Sequence, residues 1–227
     1  MRSCFRTNFD PSRWLKFPNQ FQETDQRSFL WKKLGWFSIP VGLSSLGMCG
    51  GMASTALDFF HSLRLPPDRT TPPSSKDDKA LFEWIRERQV DSVTLKDFWK
   101  YLILMFTDNK RDKTEIAEAW EQIKRDVQKG SPVLIGLERA KVESWYKIHQ
   151  VADIVKNHQV VVWGFEEIEG KIFLYLYDPK IPENNNVTIS FNQNFEDIRW
   201  SPPSIGRIYT IFKTSYAPKV PPIRGGQ

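Results

Sequence analysis

Cysteine is almost absent: the 227 residues include two, Cys4 and Cys49. Two thiols make no disulfide framework, and a chain of this length without one fits a reducing compartment. Three histidines with no close Cys/His spacing offer no readable metal site, and nothing calls for a cofactor. Charge of one sign is not concentrated either. The 32 basic and 27 acidic residues leave a net charge of +5, and Arg64, Lys76, Lys110, Arg111 and Lys147 are typical of a scattered basic set. Without a basic stripe, nucleic acid is not an expected partner. A long apolar run is missing as well. Residues 34–57 are 24 in a row without a charge, long enough to cross a bilayer, yet they include five glycines, four serines and Pro40. They read as a buried loop entering a buried helix, so no membrane contact is expected. The opening residues, with Arg2, Arg6 and Asp10, lack the apolar core of a secretory leader, which points to the cytoplasm.

Aromatics, by contrast, are plentiful. Nine Trp and sixteen Phe within 40% hydrophobic content exclude a disordered chain and supply a core for one globular domain. Residues 1–33 form an irregular arm studded with Phe5, Phe9, Trp14, Phe17, Phe21, Phe29 and Trp31, expected to pack onto the body. Met52, Ala56, Phe59, Phe60 and Leu63 recur at helical spacing over 51–63. An exposed Pro-rich connection follows over 65–75, then helices near 78–89, 94–106 and 114–129, the last closed by Lys129-Gly130. Beyond Gly130 short apolar β runs take over, at 133–137, 160–165, 172–177, 187–191 and 208–212. Helices first and strands afterwards predict an α+β fold, with a helical lobe over 34–130 and a β lobe over 131–217. Residues 218–227 read as a flexible tail.

Three residues stand out chemically. Cys49 lies in Leu46-Gly47-Met48-Cys49-Gly50-Gly51-Met52, where a glycine-rich loop meets a helix. A helix N-terminus favours the thiolate, and small neighbours let a substrate backbone approach the sulfur. His158 opens an apolar strand and Asp178 ends the next one. Pairing those strands about a turn near 168–169 puts residue 158 opposite a position between 178 and 181, within side-chain reach of Asp178. A nucleophile, a base and an orienting group thus occur in order. His61, twelve residues beyond Cys49 on the same helix, is about 18 Å away and too far to activate it. His149 is a weaker rival because no long apolar strand follows it.

The segments Leu46–Met52, Gly130-Ser131-Pro132-Val133-Leu134-Ile135-Gly136, Asn157-His158-Gln159-Val160 and Tyr177-Asp178-Pro179 together resemble the papain-like cysteine peptidase superfamily, in particular the bacteriocin-processing (double-glycine) peptidases. The resemblance spans about residues 46 to 180. It implies a papain-like fold, Cys49 as nucleophile, His158 as base, Asp178 as orienter, and a peptide or protein substrate. Such peptidases carry an oxyanion-stabilising Gln six residues before the cysteine. Leu43 stands there, with Ser44 and Ser45 nearby, so Asn19 or Gln20 in the arm are the substitutes to consider. The expected activity is hydrolysis of a peptide or isopeptide bond. The alternatives are an acyltransferase, deamidase or transglutaminase-like enzyme, or a non-catalytic binding module using Trp145 and Tyr146.

Overall fold

The computed structural model describes residues 2–21, 30–34, 37–41, 48–92, 94–142, 157–203 and 206–223. In chain order, strand β1 (Arg2–Arg6) precedes a 3-10 turn (Pro11–Arg13) and a hairpin of β2 (Leu30–Leu34) and β3 (Phe37–Val41). Four helices follow among the described residues: α1 (Cys49–His61), α2 (Lys79–Ser92), α3 (Leu95–Met105) and α4 (Asn109–Gln128). The remaining strands are β4 (Val133–Glu138), β5 (His158–Ile168), β6 (Lys171–Tyr177), β7 (Thr188–Asn192), β8 (Arg199–Ser201) and β9 (Thr210–Lys213). The fold is α+β. The large sheet is antiparallel in the order β8-β7-β6-β5-β4-β9, and β1 pairs with the far end of β5, Arg2 opposite Ile168 and Arg6 opposite Gly164.

Both faces of the central strands are covered, which is why β4 and β5 read as unbroken apolar runs. Val133, Ile135, Leu137, Val160 and Val162 pack with Ile116, Trp120 and Ile123 of α4. Leu134, Val161, Trp163 and Tyr177 face the other way, onto Met52, Ala56 and Phe59 of α1 and Leu81 and Ile85 of α2. A register shift between Val162 and Gly164 returns Phe165 to the α4 side. Phe9, Trp14, Leu15, Phe17 and Phe21 complete the α1–α2 core, so the arm is packed onto the body through Phe21.

Residues 218–223 lie against the body. Lys219 N–H donates to buried Asp58 Oδ1 (3.0 Å), Arg64 holds Pro221 O (2.9 Å), and Ile223 packs on the α1–α2 core. Asp58 is also bound by Arg88 (Nε–Oδ2 2.7 Å) and by the Tyr216 hydroxyl (2.9 Å). Burial raises the pKa of Asp58, against the opposing pull of Arg88. A buried carboxylate needs these donors; Lys219 supplies one of them and Tyr216, just before this segment, another.

Candidate active site

Cys49 is the first residue of α1. Met48 before it has no side-chain cap bond, so the first turn of the helix presents its positive end at the thiol. The approach is set by two amides: Met48 N–H donates to Asn19 Oδ1 and Gly51 N–H to Gln89 Oε1, both at 2.7 Å. The two glycines are required by close packing. A Cβ at Gly50 would overlap Gln159 Oε1 and Ser92 Oγ, and one at Gly51 would overlap the Ile85 carbonyl of α2. Here the α1–α2 contact is backbone against backbone.

His158 is the first residue of β5 and Asp178 directly follows β6. Along the hairpin the register runs from Ile168 opposite Lys171 to Val161 opposite Tyr177. Continued outward it sets His158 across from Lys180, with Asp178 as its diagonal neighbour. The side chains meet there. His158 Nε2 donates to Asp178 Oδ1 at 2.6 Å, and the same oxygen accepts the Lys180 N–H at 2.9 Å. With Nε2 engaged, Nδ1 is the ring nitrogen left for Cys49, to which His158 is hydrogen-bonded. All three groups are buried.

Their charges are coupled. Burial alone would raise the Cys49 thiol, but the positive His158, its hydrogen bond and the backbone N–H of Gln159 outweigh burial, and the net shift is downward. Burial alone would lower the imidazole; the negative charges of Asp178 and Cys49 overcome it and raise His158. The favoured state is therefore a thiolate–imidazolium pair backed by a carboxylate. Arg139 is held down by burial and feels both Asp178 and Cys49.

Of the two arm residues considered as oxyanion donors, Asn19 reaches the nucleophile turn and Gln20 does not. Asn19 bridges both halves of the site, its side chain on Met48 and its own N–H on Pro179 O (2.9 Å). Gln20 is exposed and its N–H turns back on Pro18 O. Leu43, Ser44, Ser45, Trp145, Tyr146 and His149 lie outside the described residues. His61 sits at the opposite end of α1, stacked on Tyr216. Sequence reading passed over Tyr101, and named Asn157 and Gln159 only as neighbours of His158, with no role of their own. Only Asn157 had a local signal, as a polar residue directly before the histidine. Its side chain clamps β4 to β5, accepting from Arg139 N (2.8 Å) and donating to Glu138 Oε2 (3.1 Å).

A family model described as the Peptidase_C39 like family matches residues 68–204. The matched span contains His158 and Asp178, while Cys49 precedes it. No curated protein and no solved structure matches the chain.

Proposed function

We propose that this chain, which belongs to the Peptidase_C39 like family of papain-like cysteine peptidases, hydrolyses a peptide or isopeptide bond through an acyl-enzyme on Cys49. One observation carries the reading: an imidazole fixed by a buried carboxylate at 2.6 Å turns its other nitrogen to a thiol at a helix N-terminus. The α+β layout then reads as papain-like, the nucleophile coming from the helical half and the base and its orienter from the sheet.

The Cys49 thiolate attacks the scissile carbonyl carbon, and the carbonyl π electrons move onto oxygen. That oxyanion is met by the Cys49 N–H and by Asn19 Nδ2, whose amide is oriented by the bond from Met48 N–H to its Oδ1. The oxyanion collapses, the C–N bond breaks, and His158 passes its proton to the leaving amine. Now neutral, His158 deprotonates a water that attacks the thioester. The acid product leaves, and the proton held on the imidazole restores the ion pair. Asp178 holds the ring in the tautomer and orientation this requires.

The test pairs reactivity with turnover. Iodoacetamide alkylation of Cys49 is followed against pH in a Cys4→Ser background, with and without His158→Ala, and a proteome-derived peptide mixture is screened for new termini. Expected are an apparent thiol pKa well below about 8.5, lost with His158, and new termini absent in Cys49→Ala. A thiol that titrates like a free cysteine with or without His158 would remove the catalytic reading.

A further inference from the structure

The peptide group between His158 and Gln159 is held at both ends. Its N–H, from Gln159, donates to the Cys49 sulfur. Its carbonyl, from His158, accepts the Tyr101 hydroxyl at 3.3 Å. Tyr101 comes from α3 and is buried against Phe212 (ring centroids 4.6 Å apart). Its oxygen is in turn hydrogen-bonded to the Gln159 side chain, whose Nε2 also donates to Ser92 O at 3.2 Å. Two glycines make room for this arrangement: a Cβ at Gly136 would overlap the Tyr101 hydroxyl, and one at Gly50 the Gln159 side chain. Burial first, then the charges of Cys49 and Glu138, push the phenol well above its ordinary pKa, so it stays a neutral donor.

We propose that Tyr101 is a positioning residue for the Cys49 thiolate: its hydroxyl orients and polarises the His158–Gln159 peptide so that the Gln159 N–H is a fixed donor to the sulfur, and the Gln159 side chain latches Tyr101 in place. This rests on Cys49 being the nucleophile. A donor whose own carbonyl already accepts a hydrogen bond is strengthened by polarisation. A donor fixed before the reaction needs no reorganisation when charge gathers on sulfur. An ionised acceptor gains more from such a bond than a neutral thiol, so the device biases the thiol toward ionisation. It also binds the strand carrying the base to the helix carrying the nucleophile, with α3 as brace.

The decisive variant is Tyr101→Phe in the Cys4→Ser background, since the ring contact with Phe212 is retained and one oxygen is lost. Cys49 alkylation by iodoacetamide is measured across pH by intact mass, with thermal melting alongside. The apparent thiol pKa is expected to rise by about half to one unit. That reads as roughly threefold to tenfold slower alkylation below the pKa, with the alkaline plateau unchanged. Gln159→Leu, which releases Tyr101 from the other side, shifts the profile in the same direction and serves if Tyr101→Phe folds poorly. Parental profiles in both variants, while His158→Ala still raises the thiol pKa, overturn this inference alone. If the parent protein itself titrates near a free thiol, the nucleophile reading fails and takes this one with it.

Discussion

Asp178 offers the sharpest quantitative test of how the ion pair is maintained. Its Oδ1 takes the His158 Nε2 hydrogen at 2.6 Å, and both groups are buried, so solvent screens the contact little. A hydrogen bond to a charged group contributes about 1.5–3 kcal/mol net. At about 1.4 kcal/mol per pKa unit, Asp178→Ala should lower His158 by about one to two units and reduce the equilibrium constant for the thiolate–imidazolium pair roughly tenfold to hundredfold. That variant also strips the Lys180 N–H of its acceptor (2.9 Å), so part of its effect is local loosening. Asp178→Asn keeps an oxygen for both donors and removes only the charge, which separates the two contributions. Cys49 alkylation near pH 6 should fall in the order parent, Asn, Ala, and the imidazole pKa followed by NMR should fall in the same order. Stability carries the same signature. The folded pKa of His158 lies above its ordinary 6.5. The stability it contributes is therefore fully present below that value and is lost as pH rises through the folded one. Asp178→Ala should accordingly lose more urea resistance near pH 6 than at alkaline pH. Equal alkylation profiles in parent, Asn and Ala would refute the idea that Asp178 sets the charge state of the pair.

Three further perturbations probe separate parts of the molecule. Asn19→Ala removes the amide next to Met48; turnover of a peptide found in the screen should drop about a hundredfold, with the Cys49 alkylation profile unmoved. Glu138, fully buried at the end of β4, is pushed up to about 8, by burial first, against the donors Asn157 and Ala140 and the nearby Lys141. The unfolded carboxyl ionises near 4.5 and the folded one near 8, so folding weakens as pH climbs between them. Glu138→Gln should therefore be nearly neutral near pH 4 and stabilising by about 4–5 kcal/mol near pH 9, at about 1.4 kcal/mol per pKa unit, read by urea denaturation. Arg88→Met leaves Asp58 buried without its ion partner and should cost about 3–5 kcal/mol, much of it recovered by adding Asp58→Asn. Equal stability of the single and double variants would contradict that account.

The readable parts of this chain were those encoded by neighbours in sequence. The α4 periodicity is plain, yet the helix starts at Asn109, earlier than residue 114, because the Asp108 side chain caps it by accepting from Arg111 N (2.9 Å). That signal sits in a charged stretch with no apolar rhythm. The proximity of His158 and Asp178 was legible because a tight hairpin turns residue counting into distance. The left-handed turn at Glu169 and Gly170 keeps the count intact, and the shift near Gly164 moves it by one position. β1 was not legible. Arg2–Arg6 has no strand-like alternation, and what makes it a strand is the free edge of β5 some 160 residues away, as the separation of Ser3 and Glu167 (164) illustrates. Tyr101 and Gln159 were hidden for a related reason. Their significance comes from one peptide group and two missing Cβ atoms, on elements that meet only in the folded state.

The anchoring of Asp58 has a consequence for how the protein matures. Its partners Tyr216 and Lys219 lie 158 and 161 residues further along the chain. While the chain emerges from the ribosome, α1 and Arg88 of α2 are made well before the two further donors that Asp58 needs. The helix that carries Cys49 at its head therefore cannot settle against α2 at full strength until residues 216–219 are free. Nascent chains should carry a cysteine not yet poised for chemistry until Tyr216 and Lys219 have emerged.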